Sequence, residues 1–470
     1  MMRIGGIPAY GVINLFVWLV LLGCESTIGL IEGVASFYLP ISMALLLINQ
    51  LARKRPAFDL SILFLASCFF FFCIGLVLWP LSTISPTEFS SLVITKFSWN
   101  QLDFAAICVG LSIAITMLTV MKLQSRNKLH FDLGRMNFQE LDGIPCAPIY
   151  KFGGWLIAIT LPMVLVESIE QLRFIQDAGY LALYTDGVPT SVVSKILFYL
   201  FYLGFGLVLA FCKTKKQFLM PAALYIFVAT IDSLKGARGA LLVPLLFVVW
   251  FYVGRFGVRV RLLAVVRNLV VVFFAFSLLT LQRSPELLSG GFIQFGVDAL
   301  ITQGRSLQTI ALYQTVADEV GRYGSYMVLS NLLIPFIALI HPEVREAAQS
   351  MDQVLYSNNL KHILTYVLND SYYFSGGGTG GVYTIELMES GPFLYVLFSI
   401  ILGWFLVWMP ATMCKPWMRY LSIYFFSTIF YLPRGEFFFN TLVVGKAALL
   451  YFMVTRIFVI YRRRNGVKYG

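Results

Sequence analysis

The sequence predicts an all-α, polytopic integral membrane protein with about twelve transmembrane helices and one long loop outside the membrane. Of its 470 residues, 59% are hydrophobic and only 13% are charged, whereas a soluble domain carries roughly 25% charged residues. The apolar runs are about 15–23 residues long, enough for a helix to cross a hydrocarbon core of roughly 30 Å. The alternation of apolar and polar residues that marks transmembrane strands does not occur in the sequence, so a barrel is not expected.

Twelve apolar segments, taken in order along the chain, are the predicted spans. Short polar loops separate most of them, as expected for helices that run back and forth across a bilayer. The segments lie near 9–24, 34–51, 60–82, 104–122, 153–168, 191–212, 218–233, 241–254, 262–280, 392–412, 420–432 and 442–460.

Basic residues gather in alternate loops between these segments. The clusters are Arg53, Lys54 and Arg55; Lys122, Arg126, Lys128 and Arg135; Lys213, Lys215 and Lys216; Arg255, Arg259 and Arg261; Lys415 and Arg419; and Arg462, Arg463 and Arg464. All of them fall on one side when both termini are cytoplasmic, as the positive-inside rule requires. The net charge of +11 would suggest nucleic acid on a soluble protein, but topology explains it here. No nucleic-acid partner is expected.

The pattern divides the chain into three regions. Residues 1–280 hold the first nine spans, residues 281–391 form the outward loop, and residues 392–470 hold the last three spans and a cytoplasmic tail. A loop of this length is too long to be a passive connector. Within it, Ser306–Val320 predicts a helix along the membrane surface, and Val328–Ile340, interrupted by a proline, predicts a re-entrant or interfacial segment.

Cysteine and histidine spacing predicts neither a disulfide framework nor a metal site. The seven cysteines lie mostly inside or at the ends of apolar segments, and no pair has the Cys-x-x-Cys spacing of a zinc ligand set. No cofactor is therefore expected. No internal repeat is visible either, which disfavours the transporter architectures that are built from repeated halves.

Three arginines are placed where topology does not require them. Arg238 lies in Lys-Gly-Ala-Arg-Gly and Arg434 in Pro-Arg-Gly-Glu, both at the outward ends of apolar segments, and Arg305 lies in Gly-Arg-Ser within the outward loop. A cation on this face is better placed to bind an anion than to set orientation. The anion that fits is a phosphate carried on a lipid, and Arg305 would add its fork of donors to a helix N-terminus. A solvated loop arginine is the alternative for Arg305.

A glycine-rich run precedes the late span near 392–412. It occupies residues 376–381, and Glu386 follows it at the outward surface. Glycines let backbone N–H groups approach a ligand, although the Lys-Ser/Thr of a phosphate-binding P-loop does not follow. Glu386 is positioned to act as a base or to bind a sugar hydroxyl. The alternatives are a flexible loop for the glycines and an ion pair with an arginine for Glu386.

Aromatic residues and two histidines crowd the same loop. The loop contains many tyrosines, of which Tyr373 and Tyr383 are the candidates for substrate binding. Their rings are suited to stacking on sugar C–H faces. The alternative is that tyrosine is equally typical of membrane interfaces. His341 and His362 are candidates for a base near neutral pH, with a surface or capping role as the alternative.

The order of these motifs resembles a known family. Gly-Ala-Arg-Gly at 236–239, Gly-Arg-Ser at 304–306, the run from Gly378 to Gly391 and Arg-Gly-Glu at 434–436 resemble the Wzy polymerases of O-antigen, enterobacterial common antigen and related polysaccharides. The resemblance covers about residues 170–460, and the first part of the chain matches in hydropathy alone.

The resemblance implies a membrane-embedded glycosyltransferase of the GT-C type that needs no metal or cofactor. Its substrates would be oligosaccharide repeat units on undecaprenyl diphosphate, joined at the periplasmic face of the bacterial inner membrane. Membrane lipid would be a partner, and a chain-length regulator protein is a candidate partner.

The resemblance also implies roles for individual residues. Arg238, Arg305 and Arg434 would hold the two diphosphates with Lys235 assisting, and Glu386 would be the base for the acceptor hydroxyl. The remaining substrate-binding candidates are Tyr383, Gly380, Glu436 and Tyr373.

Two other functions fit parts of this pattern. An O-antigen ligase shares the topology and relies on an outward histidine, for which His341 or His362 would serve. A lipid-linked glycan flippase or secondary transporter would also have about twelve spans, but it would place charges in mid-helix and keep its loops short. The polymerase is favoured because the charges gather at outward helix ends and one loop is very long.

Overall fold

The computed structural model describes most of the chain. The described residues are 3–4, 7–27, 29, 31–52, 59–82, 97–126, 146–179, 182–185, 191–235, 239–258, 267, 291–345 and 348–464. They are almost entirely helical, apart from an antiparallel pair of two-residue strands, β1 at Arg3–Ile4 and β2 at Ile7–Pro8. The predicted all-α class is confirmed.

The α-helices follow one another with few interruptions. In chain order they are α1 Ala9–Thr27, α2 Val34–Ala52, α3 Leu60–Cys68, α4 Ile74–Leu78, α5 Trp99–Arg126, α6 Cys146–Ala178, α7 Ala182–Thr185, α8 Val192–Phe211, α9 Lys215–Leu234, α10 Gly239–Phe256, α11 Phe292–Gln303, α12 Ser306–Thr315, α13 Ala317–Tyr323, α14 Ser330–Ile340, α15 Met351–Tyr356, α16 Leu360–Leu368, α17 Asp370–Phe374, α18 Tyr383–Glu389, α19 Gly391–Ala411, α20 Pro416–Tyr431 and α21 Thr441–Arg464. A π-helical turn, Phe69–Cys73, joins α3 to α4, and short 3₁₀ turns lie at Trp79–Leu81, Met327–Leu329, Pro342–Arg345 and Leu432–Arg434.

Nine helical segments within the described residues are long and apolar enough to cross a membrane. They are Ala9–Thr27, Val34–Ala52, Leu60–Leu81, Trp99–Ser125, Cys146–Ala178, Val192–Phe211, Lys215–Leu234, Gly391–Ala411 and Thr441–Tyr461. The predicted spans near 241–254 and 420–432 coincide with the shorter helices α10 and α20. The predicted span near 262–280 lies outside the described residues, apart from Arg267. The chain is therefore a multi-pass membrane protein.

The chain divides into two compact units. The first contains residues 1–130, 262–408 and 428–439, and the second contains residues 131–261, 409–427 and 440–470. Within the second unit α6 and α8 cross closely, since a Cβ at Gly153 would lie 2.8 Å from the carbonyl oxygen of Gly204. Small residues at such crossings are the usual means of packing helices in a bilayer.

Helix α5 lies at the centre of the first unit. In its most apolar 18-residue stretch, 78% is buried. On one side Trp18 of α1 covers it where a Cβ at Gly110 would meet the indole ring at 2.3 Å. On another side Thr116 Oγ1 donates to the carbonyl oxygen of Ser399 at 3.1 Å, which joins α5 to α19.

Asp103 of α5 caps the N-terminus of α2. Its carboxylate accepts the backbone N–H of Gly33 at 2.7 Å and both the N–H and the hydroxyl of Ser36, at 2.8 and 2.6 Å. Asp103 is 1% exposed. A charge buried in this way is stabilised by donors and by the positive end of the helix dipole.

We expect Asp103→Ala to destabilise the protein by roughly 1–3 kcal/mol, because three buried donors would lose their acceptor. The measurement is the thermal unfolding of the detergent-purified variant. Asp318→Asn is the matched control, since Asp318 is an exposed residue of α13. Equal unfolding temperatures for the Asp103 variant and the wild type would contradict this role.

The prediction of a single surface helix over 306–320 is wrong, because the stretch is broken and its first part is buried. Two helices occupy this stretch, broken at Val316, and every residue of α12 from Ser306 to Tyr313 is buried. The residues on its polar faces are small or uncharged, so α12 can pack on all sides instead of lying with one face in water. Downstream, the segments Ala317–Tyr323 and Met327–Ile340 meet at a bend of 48°, as expected for a broken span or a re-entrant segment.

Candidate functional site

Glu386 lies on α18, one turn before the long helix α19. Its carboxyl is buried, with 1% exposure. Oε2 accepts the backbone N–H of Phe437 at 2.7 Å, whereas Oε1 has no hydrogen-bond partner among the described residues. This single bond ties α18 to the turn Arg434-Gly435-Glu436, which lies about fifty positions further along the chain.

Glu436 is the second carboxyl of the site, and it is 3% exposed. Asn331 of α14 donates its amide N–H to Oε2. Lys361 of α16 holds its ammonium 3.7 Å from Oε1, and the lysine side chain itself is 45% exposed. Glu436 is thus a buried carboxylate with a neutral donor on one oxygen and a cation that reaches the surface on the other.

The two carboxyls influence each other electrostatically. Burial, followed by the negative charge of Glu436, raises the pKa of Glu386 well above its usual value. The N–H of Phe437 and the charge of Lys361 oppose this rise without cancelling it. Two carboxyls that share a poorly hydrated site do not both ionise readily.

The glycine-rich run forms one side of this pair. A Cβ at Gly381 would lie 3.3 Å from Cγ of Glu436, whereas positions 378 and 380 have no described atom within 4 Å of theirs. Gly380 has a φ of +83°, which L side chains rarely adopt. The loop is anchored from α16, where Thr365 Oγ1 accepts the backbone N–H of Thr379 at 3.1 Å. It therefore presents bare backbone beside Glu436.

Two of the predicted arginines come together near the same turn. Arg434 donates from Nη1 to Oε1 of Gln303 at 2.7 Å and to the Gln303 carbonyl oxygen at 3.4 Å. Burial lowers the pKa of Arg305, and the positive charge of Arg434 lowers it further, while Asp298 acts in the opposite direction. The two guanidiniums repel each other, and a bound anion would relieve that repulsion.

The backbone of Arg305 is set by an unusually close contact. A Cβ at Gly304 would lie 2.2 Å from Cγ2 of Ile74 and 3.0 Å from the backbone nitrogen of Gly75. This contact places the N-terminus of α12 directly against the segment that follows the π-helical turn Phe69–Cys73. Such π turns interrupt regular helices most often at functional sites.

Neither Tyr383 nor Tyr373 presents its ring to an open surface. Both are completely buried. The Tyr383 hydroxyl lies 3.3 Å from Oγ of Ser112 on α5, and the Tyr373 hydroxyl donates to the Ser350 carbonyl oxygen at 3.1 Å. Their rings belong to the core that supports the loop, so we do not retain them as sugar-stacking residues.

Of the two cations predicted near residue 236, the structure describes one. Lys235 lies in the second unit, where Nζ is 2.6 Å from Oδ1 of Asp232 and 2.7 Å from Oε1 of Gln171. Its charge is therefore balanced locally by a carboxylate. Arg238 lies outside the described residues.

His362 is partly buried, and its imidazole is neutral. Burial and the charge of Lys361 lower its pKa to about 3. Its Nδ1 lies 3.0 Å from the hydroxyl of Tyr373. Because that hydroxyl donates to Ser350, the histidine is the donor in this pair. His341 stacks on Tyr356 with ring centroids 3.9 Å apart. Both rings serve in packing.

Four polar residues of the site were not singled out from the sequence, namely Lys361, Asn331, Gln303 and Asp298. The sequence could have pointed to one of these residues, because Lys361 is the only lysine among residues 281–391. A lone lysine in an outward loop is not needed for topology. Asn331, Gln303 and Asp298 had no comparable signal. Within the part of the chain that the structure describes, no group of three or more metal-ligating side chains occurs.

Comparison with known proteins adds one finding. The family model described as O-antigen polysaccharide polymerase Wzy matches residues 12–464, nearly the whole chain. No curated protein and no solved structure matches the sequence.

Proposed function

The chain belongs to the O-antigen polysaccharide polymerase Wzy family, and from that premise we propose that it joins oligosaccharide repeat units carried on undecaprenyl diphosphate. The reaction takes place at the periplasmic face of the bacterial inner membrane, with both termini of the chain in the cytoplasm. The lipid carriers remain in the bilayer while their glycans stay in water, which places the reacting atoms at the boundary between the two.

The proposed reaction transfers the growing glycan to one further repeat unit. A hydroxyl oxygen on the terminal sugar of the acceptor unit attacks the anomeric carbon of the donor glycan. The bond from that carbon to the diphosphate oxygen breaks, and undecaprenyl diphosphate leaves with the electron pair. The hydroxyl proton passes to a base, so the products are a longer glycan on the acceptor's carrier and a released carrier diphosphate.

The observation that carries this proposal is the hydrogen bond from Arg434 to Gln303, because Gln303 lies two positions before Arg305. Arg434 also precedes Glu436 by two positions in the sequence, and the charges of Arg305 and Arg434 act on each other. A departing diphosphate gains negative charge in the transition state, and guanidinium groups are well suited to neutralise it. A carboxylate two residues away in the chain is suitably placed to receive a proton from the attacking hydroxyl.

The test of this function is deletion of the gene in its host, followed by gel analysis of the surface glycan. We expect lipid A core that carries a single repeat unit, or the equivalent loss of long chains on another carrier, with restoration of the ladder on complementation. Long polymer retained on undecaprenyl diphosphate would instead identify a ligase. Repeat units that remain on the cytoplasmic face would identify a flippase.

A further inference from the structure

We propose that Glu436, and not Glu386, is the catalytic base for the acceptor hydroxyl, with Lys361 and a protonated Glu386 as its positioning residues. This inference rests on the proposed function and assigns the proton transfer within it. It differs from the sequence-based expectation, in which Glu386 was the base.

The two carboxyls differ in the hydrogen-bond donors and cations around them. Glu436 receives the amide of Asn331 on Oε2 and the charge of Lys361 near Oε1. Glu386 receives one backbone N–H, from Phe437. Donors and cations stabilise the ionised form of a carboxyl, so the negative charge of the pair resides on Glu436.

The hydrogen bonding of Glu386 fits a protonated carboxyl. A protonated carboxyl has one carbonyl oxygen that accepts and one hydroxyl that carries the proton. Oε2 accepts from Phe437, which leaves the proton on Oε1, the atom without a hydrogen-bond partner among the described residues. Glu386 is thus a neutral clamp on the turn and is not available as a base, in agreement with the upward shift of its pKa.

The two carboxyls also differ in their access to the acceptor sugar. Both carboxyls are nearly inaccessible, but Glu436 lies 3.7 Å from the ammonium of Lys361, a side chain that is 45% exposed. The bare backbone of Gly381 lies against Cγ of Glu436, and positions 378 and 380 border open space. We therefore expect an acceptor hydroxyl that approaches along the glycine-rich run to meet Glu436.

In the proposed reaction, Glu436 takes up the acceptor proton and later releases it. The acceptor O–H bond breaks and its proton moves to the Glu436 carboxylate, while the hydroxyl oxygen forms the bond to the anomeric carbon. After undecaprenyl diphosphate has left, Glu436 returns its proton to water on the side of Lys361. Glu386 remains protonated throughout and holds the turn through Phe437.

Several charged groups act on this pair. Lys361 of α16 acts on both carboxyls, and Arg434 precedes Glu436 by two positions in the sequence. Arg305 and Asp298 act on each other beyond Arg434. His362 follows Lys361 and is neutral. Lys361 is therefore the half-exposed cation whose removal should most directly change how the pair titrates.

The decisive experiment compares Glu436→Gln with Glu386→Gln. Membranes that contain each variant would be supplied with lipid-linked repeat units extracted from the deletion strain, and the rate of polymer formation measured. We expect a loss of about 10²-fold or more for Glu436→Gln, and a loss below about tenfold for Glu386→Gln, since glutamine keeps the acceptor for Phe437. Glu389→Gln, on the same helix, is the matched control.

Two further measurements separate catalysis from folding. Glu436→Asp keeps the charge and should retain part of the activity that glutamine loses. In thermal unfolding, stability that comes from a raised folded-state pKa is present at low pH and is lost as the pH rises through that pKa. The wild type should therefore lose more stability toward alkaline pH than Glu386→Gln, which cannot ionise.

Lys361 is tested by the pH profile of polymerisation. Lys361→Met removes the cation that favours ionisation of the pair, so the acid limb of the profile should move to higher pH, and Lys361→Arg should restore it. A merely structural lysine would change the overall rate without moving the limb. An unmoved limb in Lys361→Met would overturn its part in the proposal.

The remaining outcomes are distinguishable. Inactive Glu386→Gln together with active Glu436→Gln would make Glu386 the base and overturn the inference while leaving the polymerase function in place. A normal glycan ladder in the deletion strain would instead overturn the proposed function itself.

Discussion

Arg434→Ala is expected to lower the rate of polymerisation by about 10²–10³-fold at a normal protein level. The reason is the loss of one charge-assisted contact to the departing diphosphate, which is usually worth roughly 2.7–4 kcal/mol in the transition state. Arg434→Lys should restore little of this, because lysine keeps the charge but not the planar fork of donors. The measurement is polymer formation by membranes supplied with lipid-linked repeat units.

A variant of Gln303 separates the charge of Arg434 from its orientation. Gln303→Leu removes the side-chain acceptor at 2.7 Å and leaves the Gln303 carbonyl oxygen at 3.4 Å. We expect a smaller loss than for Arg434→Ala, because the guanidinium stays in place but is less well aligned. Arg322→Ala is the control for removing a positive charge, since Arg322 is exposed on α13. Full activity of Arg434→Ala would show that the diphosphate is bound elsewhere.

Arg305→Ala is expected to reduce polymerisation to a similar extent, by about 10²–10³-fold. Its side chain is partly buried, and its charge is repelled by that of Arg434. Removing it relieves a repulsion, so the folded protein should tolerate the change while the binding of an anion is weakened. A parallel loss of activity and of thermal stability would contradict this prediction, because it would point to a structural role.

Gly304→Ala tests the position of Arg305 without removing it. The added Cβ would lie 2.2 Å from Cγ2 of Ile74 and 3.0 Å from the nitrogen of Gly75. Because the second of these is backbone, the strain cannot be relieved by a side-chain rotation alone, and the start of α12 must move. We expect a loss of activity close to that of Arg305→Ala, accompanied by a lower unfolding temperature.

The structure changes which side chains are expected to interact with substrate. Tyr373 and Tyr383 were expected to stack on sugars, but both are buried in the core that supports the loop. Glu386 was expected to be the base, and we propose instead that it is a protonated clamp on the backbone N–H of Phe437. Lys361 enters the site in their place, next to Glu436.

Hydropathy along the chain was enough to predict the all-α membrane class and the position of most helices. Transfer of apolar side chains out of water depends on short stretches of sequence, so it can be evaluated one span at a time. The candidates Arg434 and Glu386 were singled out because polar residues at the ends of apolar segments are conspicuous, and Arg305 because it follows a glycine in the long outward loop. These parts of the protein were determined by the sequence alone.

Only the tertiary structure decided how these groups pair. The bond from Phe437 to Glu386 spans 51 residues, that from Asn331 to Glu436 spans 105, and that from Arg434 to Gln303 spans 131. Each depends on which helix faces which, and no local pattern encodes that choice. The raised pKa of Glu386 follows from such long-range contacts, because burial and neighbouring charges set the ionisation of a carboxyl.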